Sequence, residues 1–568
     1  MLKIDQVIMA DVVVVGAGNA GLRAAVAAAS QGAETVVVSK SPFPGGSSCV
    51  AGGFHQASFG ADDSEDLHFR DTIKGGYYLG NQRLIRILVR EAKERILDLE
   101  QMGGAFYRVS PQSYSLTRLG GYSVARGVET GRTERIARIL RETAYHLSVP
   151  VFEECMVTKL LTDAQGRVCG VFALDIRWGR GLVFLGKCVV LASGAIGRLY
   201  RRTATPRNAT GDGFGLAMNL GVEMLDMEFM QFIPLSYVYP SFIEGMTLGE
   251  ASVYGARTKY LNSQGERFIV QYDPERLERT TRDIGARSIY IEVREGRGTP
   301  HGGVWLDNSE NRPEEGAYQP HRLRHRWKLI RDFYGIKKAN YQEPMEVAPS
   351  ALYICGGLEI NEECRTSLPG LFACGEISGN MHGANRLGGN SLIELQVYGR
   401  RAGEFAAQEA KGLPLPPVDT AQVEEEVARL NGLLQSREGT RPRMIKRELQ
   451  SVMWEHCAIV RDGDGLQKGL SRIQALKEQA ATLRLTTDTT NYNYELVEAC
   501  EVPLMLDLAE VMVSAALHRE ESRGNHFRAD FPKMDNQNWL CHTTIQKGDG
   551  RIHIGKKDVE LVEIDPRR

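Results

Sequence analysis

Residues 12–21 read VVVVGAGNAG, and an Ala-rich stretch at 22–30 follows them. The β-branched run predicts a buried strand, and the Ala-rich stretch predicts a helix. Gly16 allows a tight turn, Gly18 lets the backbone approach a pyrophosphate, and Gly21 lets the helix pack closely against the strand. The N-terminus of such a helix offers free N–H groups to phosphates. This strand, glycine turn and helix therefore predict a Rossmann-like dinucleotide-binding domain.

Further glycine-rich segments lie far apart along the chain, at residues 45–46, 52–53, 211–213 and 372–392. Glycines let the backbone come close to a ligand, and so many such positions along the chain are typical of a long, extended cofactor that runs through the domain. The second predicted strand ends at Val38 and is followed by Ser39 and Lys40, where a nicotinamide-binding domain carries an acid for the ribose. The pattern therefore argues against a resident nicotinamide and favours FAD over a mononucleotide.

Composition and charge exclude several functional classes. The 568 residues carry 69 Lys plus Arg against 71 Asp plus Glu, and this balance offers no electrostatic case for nucleic acid or an anionic membrane. No apolar run approaches the roughly 18–20 residues of a membrane span, and the first residues lack the pattern of a signal peptide.

The ten cysteines are scattered without a ferredoxin-like cluster, which predicts buried thiols in a reducing compartment. We therefore expect a cytoplasmic protein with no nucleic-acid partner, no direct membrane insertion and no iron–sulfur cluster of its own.

Several long motifs carry a resemblance to a known family. The chain reads ATGDGFGLAMNLG at 209–221, PGLFACGEISGNMHGANRLGGNSL at 369–392 and ADFPKMDNQNWLCHT at 529–543. In these motifs, and along nearly its whole length, it resembles the succinate dehydrogenase/fumarate reductase flavoprotein family, which also includes L-aspartate oxidase. The segment HGANRLGGNSL at 382–392 is highly specific for that family.

The resemblance, together with the changes of composition along the chain, predicts an α/β protein with a discontinuous Rossmann-like FAD-binding domain. Residues 1–235 and 345–412 would form that domain. An inserted α+β capping domain at 236–344, where charged and aromatic residues become frequent, would close over the isoalloxazine. A helical C-terminal domain with an irregular tail would occupy residues 415–568.

The resemblance also implies which residues hold FAD. The first glycine turn would lie under the pyrophosphate, Ser39 and Lys40 beside the adenosine half, and Glu376 against the ribityl hydroxyls. Ser391 and Leu392 would meet the pyrimidine edge of the isoalloxazine. The whole predicted cofactor-binding set is Gly16, Gly18, Gly21, Ser39, Lys40, Gly45, Gly46, Ser47, Gly53, Asp212, Glu376, Ser391 and Leu392.

The predicted attachment of FAD differs from that in the family members that bind FAD covalently. Those members carry a histidine after the second strand, whereas this chain has no histidine among residues 1–53. Cys49 lies in the same stretch, and we interpret it as a structural thiol. We therefore expect FAD to be bound non-covalently.

The dicarboxylate site of the family is altered in this chain. Ile233 and Leu352 stand where the family carries two substrate-binding histidines, and Tyr254 aligns without gaps with its proton-donating arginine. Arg386 is retained from the carboxylate clamp, and Arg257 can substitute for the missing arginine if the loop shifts. Charge-assisted hydrogen bonds of roughly 1.5–3 kcal/mol each are lost, which disfavours a small dianion. We expect an apolar or aromatic substrate with one carboxylate or carbonyl, poor activity toward succinate and fumarate, and Arg386, Tyr254 and Arg257 as catalytic candidates.

The resemblance implies FAD-dependent oxidoreduction, with hydride transfer between flavin N5 and a carbon of an organic substrate. Electrons would pass to a separate iron–sulfur subunit, which could also bring the chain to the cytoplasmic membrane as a peripheral subunit. Two alternatives stay open: a true succinate dehydrogenase or fumarate reductase with a rearranged site, and a non-catalytic flavin subunit of a larger redox complex. No metal site is expected, because His321 and His325 have no acid or thiol ligand beside them.

Overall fold

The computed structural model describes residues 1–311, 324–417 and 419–567, and the side chains of the predicted pair His321 and His325 lie outside this description. Its α-helices are α1 (Asn19–Ser30), α2 (Glu65–Gly75), α3 (Gln82–Gln101), α4 (Glu134–His146), α5 (Asp212–Asn219), α6 (Arg282–Glu292), α7 (Arg324–Tyr334), α8 (Ile336–Ala339), α9 (Asn390–Ala410), α10 (Thr420–Gln435), α11 (Pro442–His456), α12 (Gly463–Ala480) and α13 (Tyr494–His518). Its strands are β1 (Ile4–Val15), β2 (Thr35–Val38), β3 (Phe54–Gln56), β4 (Arg108–Ser110), β5 (Ser113–Tyr114), β6 (Leu116–Thr117), β7 (Gly127–Glu129), β8 (Val151–Phe152), β9 (Cys155–Thr162), β10 (Val168–Asp175), β11 (Arg180–Leu191), β12 (Met224–Leu225), β13 (Met230–Tyr237), β14 (Thr247–Gly249), β15 (Lys259–Leu261), β16 (Val304–Asp307), β17 (Met345–Ile354), β18 (Gly357–Leu358), β19 (Leu371–Ala373), β20 (Val460–Arg461), β21 (Phe527–Arg528), β22 (Cys541–Gly548) and β23 (Arg551–Asp558).

A seven-stranded sheet forms the centre of the first domain, in the order β8-β2-β1-β11-β10-β9, with β19 also paired to β11. The pairs β1–β2, β1–β11 and β11–β19 are parallel, whereas β9, β10 and β11 form an antiparallel meander. Helix α1 follows β1 directly, as the glycine motif predicts. Because β19 comes far later in the sequence and still completes this sheet, the domain is discontinuous, and the predicted fold class is confirmed.

A second, five-stranded sheet with the order β14-β13-β17-β16-β15 forms the core of the cap together with α6. The predicted boundary between residues 235 and 236 falls inside β13, and β17 begins at Met345, immediately after the predicted end of the cap. These two strands pair antiparallel and contribute to both domains. The change of composition at 235 falls within a continuous strand, whereas the change at 344 coincides with the start of one.

The helices α10–α13 form the C-terminal domain, and most residues of α13 are buried. The predicted irregular tail includes the hairpin β22–β23, which joins β12 and β18 of the first domain in a four-stranded sheet. Within the described ranges, no helix combines the length and the apolar character that a bilayer span requires. Nine of the ten cysteines are buried, and Cys49 is half-buried.

Candidate active site and cofactor cavity

A large cavity opens at the carboxyl ends of the parallel strands and extends beneath the cap. It contains about 1980 Å³ of empty space, counting its opening to solvent. Four strand exits contribute to its wall, those of β1, β2, β11 and β19, with the segments 16–20, 39–42, 192–195 and 374–376. The carboxyl edge of a parallel sheet is where α/β folds bind their ligands.

The first glycine turn is built as the sequence predicts. Gly16 has φ +117°, and a Cβ there would lie 2.3 Å from the carbonyl oxygen of Ala192. A Cβ on Gly21 would lie 1.8 Å from the carbonyl oxygen of Gly16, so that this residue must be glycine for α1 to pack against β1. Gly21 does not line the cavity, and its role is packing rather than contact with the cofactor.

The other predicted cofactor residues all lie on the wall of this one cavity. They are Gly16, Gly18, Ser39, Lys40, Gly45, Gly46, Ser47, Gly53, Asp212, Glu376, Ser391 and Leu392. These residues come from both halves of the discontinuous domain, and tertiary folding brings them together.

The wall offers unsatisfied polar groups to a long ligand. The side-chain amide of Asn19 and the Oγ of Ser193 are buried and have no hydrogen-bond partner in the described chain, and both residues line the cavity. Helix α1 begins beside it with Gly18 as N-cap and without a side-chain cap or an acid in its first turn. Gly46 and Gly194, both at positive φ, leave open space where a Cβ would stand. Such a wall fits an extended ligand that carries phosphates and hydroxyls.

Glu376 is a buried acid on this wall. Its Oε1 accepts a hydrogen bond from the backbone N–H of Ile354 at 3.1 Å. Burial raises the pKa of Glu376 to about 8, so that in the cavity the carboxyl group keeps its proton at neutral pH. A protonated carboxyl can both donate to and accept from a sugar-like hydroxyl.

Two arginines, Arg386 and Arg282, line the cavity beneath the cap. Arg386 is 5% exposed, donates to Ser391 Oγ at 3.0 Å, and lies with its guanidinium carbon 4.5 Å from the centre of the Tyr353 ring. Arg282, the first residue of α6, donates to Glu250 Oε1 at 2.7 Å and to Gln231 Oε1 at 3.3 Å. Burial, with the nearby charge of Arg282, lowers the pKa of Arg386 to about 10.

The structure corrects two predicted catalytic residues. Tyr254 is fully buried in the cap, and its hydroxyl donates to the carbonyl oxygen of Leu248 at 3.1 Å. Arg257 is exposed and donates to the carbonyl oxygen of Glu310 at 3.1 Å. Neither residue lines the cavity. Arg282, which the sequence analysis did not single out, is the arginine of the cap that lines the described cavity wall.

Two of the predicted apolar residues lie on the cavity wall, whereas Tyr254 does not. Ile233 and Leu352 both line the cavity, together with Val253 of the cap. Tyr353 also lines it, and its hydroxyl donates to Glu394 Oε2 at 2.9 Å, an oxygen that His382 Nε2 approaches to 3.0 Å. This buried network behind Tyr353 supports the ring on which Arg386 rests.

Cys49 does not line the cavity, although Ser47 and Ser48 beside it do. Its Sγ donates to the carbonyl oxygen of Gly45 at 3.1 Å, and burial raises the pKa of the thiol to about 11. A thiol in this state is a weak nucleophile. The interpretation of Cys49 as a structural residue agrees with this geometry.

We predict that FAD can be removed without breaking a covalent bond. Acid precipitation should denature the protein and leave the yellow colour in the supernatant, because no histidine is found among the described residues that line the cavity. A fluorescent flavin band that stays with the denatured polypeptide on a gel would contradict this prediction.

A cavity at the carboxyl ends of parallel strands, an uncapped helix N-terminus and unsatisfied polar groups on the wall define a dinucleotide-dependent oxidoreductase of the FAD-binding class. Comparison with known protein families agrees with this class. The family described as FAD binding domain matches residues 11–392, and the family described as Fumarate reductase flavoprotein C-term matches residues 446–568. The chain belongs to the fumarate reductase/succinate dehydrogenase flavoprotein family, and it is an FAD-dependent oxidoreductase of a kind that acts on CH–CH groups.

Individual relatives match the chain over nearly its whole length. It is 39% identical to a subunit of the fumarate reductase (CoM/CoB) of Methanothermobacter marburgensis, over 92% of this chain and 94% of that protein. It is 31% identical to the fumarate reductase flavoprotein subunit of Escherichia coli, over 99% of this chain and 96% of that protein. A solved structure of the Escherichia coli quinol fumarate reductase superimposes with a TM-score of 0.92 at 31% identity, over 99% of this chain and 98% of that one. The predicted family and the predicted cofactor are therefore confirmed.

Proposed function

We propose that this chain is a catalytic subunit that transfers a hydride between flavin N5 and a carbon of a substrate that carries a carboxylate. The observation that supports this proposal is the approach of Arg386 and Arg282 to one cavity, whose wall also includes Ser391 and Leu392. The Nε of Arg386 has no hydrogen-bond partner among the described residues. A buried guanidinium with unused donors is suited to a carboxylate.

Three ionisable residues on the cavity wall, Arg386, Arg282 and Glu250, have separate roles in this proposal. FAD, when bound, supplies hydride chemistry and can divide an electron pair into single electrons. Arg386 binds and orients the substrate carboxylate. Arg282 carries the proton that accompanies the hydride, because it and Glu250 are the ionisable cap residues on the described cavity wall. Glu250, hydrogen-bonded to Arg282 and to the backbone N–H of Gly120, restores that proton.

The apolar wall defines the substrate class. Ile233 and Leu352 cannot hydrogen-bond a second carboxylate, and burying an unpaired charge beside them is costly. We therefore propose an unsaturated acid with one carboxylate and an apolar or esterified far end, or the corresponding saturated acid in the reverse direction.

Anaerobic oxidation of the chemically reduced holoprotein by a panel of acids tests this proposal. The panel contains fumarate, monomethyl fumarate, crotonate and cinnamate, and the return of the oxidised flavin absorbance is followed. Rapid reoxidation by at least one monocarboxylate supports the proposal. Reoxidation by none of the acids would favour the non-catalytic electron-transfer subunit.

A second candidate is fumarate reduction itself, which a specific observation favours. Arg386 and Arg282 together supply two guanidinium groups to the cavity, and the relatives above are named fumarate reductases. Faster reoxidation by fumarate than by its monomethyl ester would identify this candidate, because the two acids differ only in the second carboxylate.

We also predict an iron–sulfur partner. The isolated chain should contain no stoichiometric iron or acid-labile sulfide, because its cysteines form no ferredoxin-like cluster in the sequence. Purified under mild conditions from its native source, it should bring with it an iron–sulfur protein. Iron in the isolated chain, or the absence of any such protein from the purified complex, would contradict the prediction.

A further inference from the structure

Lys40 lines the cavity, and its ammonium group is bound by three side chains, one of which, Asp212, lines the cavity as well. The Nζ atom lies 2.9 Å from Thr210 Oγ1, 2.7 Å from Asp212 Oδ2 and 2.5 Å from Glu501 Oε1. An ammonium group has three N–H donors, and these three acceptors use all of them. The N–H donors of the Lys40 ammonium are therefore taken up by side chains of the protein.

One of those acceptors comes from the C-terminal domain. Glu501 lies on α13, and its other oxygen, Oε2, accepts from Lys446 Nζ of α11 at 2.6 Å. The cluster thus contains two cations and two anions, and its four side chains are between 4% and 16% exposed. We refer to Lys40, Asp212, Lys446 and Glu501 as the interdomain cluster.

Burial and the neighbouring charges shift the pKa values of Lys40 and Glu501 in opposite directions. Burial by itself would lower the pKa of Lys40, but the carboxylates of Asp212 and Glu501 outweigh it and raise that pKa. Burial would raise the pKa of Glu501, but Lys40 and Lys446 hold it below its usual value. Lys40 and Glu501 therefore keep their charges, and each of the two charges depends on its neighbours.

The backbone around the cluster is packed closely enough to transmit a displacement. A Cβ on Gly211 would lie 2.5 Å from Leu508 Cδ1, and one on Gly215 would lie 2.9 Å from Leu504. Glycines thus let α13 approach the first turns of α5, which begins at the cavity-lining Asp212. A change in how α13 docks must move the part of the wall that carries Asp212.

We propose that Glu501 is a positioning residue that couples FAD binding to the docking of the C-terminal domain. It holds the Lys40 ammonium from behind, so that the strand exit at 39–42 and the start of α5 keep the shape that the cofactor requires. The coupling is reciprocal, and bound FAD in turn stabilises the docked C-terminal domain.

The variant Glu501→Gln tests this inference, because it keeps the shape of the side chain and removes its charge. Titration of the apoprotein with FAD should show a Kd raised about tenfold or more, since two buried cations then face a single anion. The rise in Tm that saturating FAD produces should be smaller in this variant than in the wild type. Glu510→Gln is the matched control, because Glu510 lies on the same helix and pairs with Lys477 at 2.6 Å, and Lys477, unlike Lys40, does not line the cavity. The control should lower the Tm of the apoprotein and leave the Kd for FAD unchanged.

A second variant keeps the test decisive if Glu501→Gln folds poorly. Lys40→Met should also raise the Kd for FAD, and the double variant should raise it no further than the more severe single change, because both act through one contact. An unchanged Kd for FAD in Glu501→Gln would overturn the inference. A lower Kd would also overturn it, because it would show that the local charge, and not the docking of the C-terminal domain, affects FAD binding. Equal effects of Glu501→Gln and Glu510→Gln on the Kd would also overturn it.

Discussion

Replacement of Arg282 by methionine is expected to lower kcat by about 10³-fold or more while FAD stays bound, because general acid catalysis contributes roughly 10²–10⁴-fold. The side chain lies on the cavity wall and is held by Glu250 and Gln231, so that methionine removes the proton carrier while keeping a side chain of similar length. Single-turnover reoxidation of the reduced holoprotein by a saturating acid measures the loss directly. The visible spectrum of the bound flavin shows whether the cofactor is retained.

Two control variants distinguish Arg282 from the residues that the sequence had favoured. Arg257→Ala removes an exposed side chain bonded to a backbone carbonyl, and it should leave kcat unchanged. Tyr254→Phe removes a hydroxyl that is bonded to Leu248, and it should affect the stability of the cap more than turnover. If either control abolished turnover while Arg282→Met did not, the proton would have to travel by a different route.

Fumarate is expected to react with a kcat/KM about 100-fold or more below that of its monomethyl ester, because two charge-assisted contacts of about 1.5 kcal/mol each are missing. Ile233 and Leu352 occupy the part of the wall where the family places two histidines. The double variant Ile233→His/Leu352→His should therefore recover much of the loss for fumarate and reduce activity toward the monoester. Steady-state kinetics with a reduced viologen as electron donor measure both ratios.

The double variant Ile233→Leu/Leu352→Met is the matched control for that experiment. It alters the shape of the wall but keeps it apolar, and the preference for the monoester should persist. Equal kcat/KM values for fumarate and its ester in the wild type would show that Arg282, which the sequence analysis had not placed in the site, supplies the missing contact.

The cofactor cavity could be predicted in detail from the sequence, since turn chemistry is local. Gly16 and Gly21 are required by contacts of 2.3 Å and 1.8 Å that any Cβ would make, and such positions can be recognised within one short motif. Gly21 shows the limit of this reasoning, because a motif does not distinguish a glycine that faces the ligand from one that faces a strand. The boundary at 235 was less predictable, because β13 runs across it without a break.

The sequence by itself determined the class of fold, the cofactor, the family and most of the cofactor-binding wall, because these depend on local backbone conformation and on long, specific motifs. The tertiary structure alone decided which ionisable cap residues line the cavity and what holds Lys40. Arg282 and Arg386 meet only because β13 and β17 carry the cap over the cavity, and Glu501 reaches Lys40 only because α13 docks against α5. Packing between segments that are distant in the chain decides where a side chain in an irregular loop points and which partner it finds in another domain. A local sequence pattern does not predict either of these.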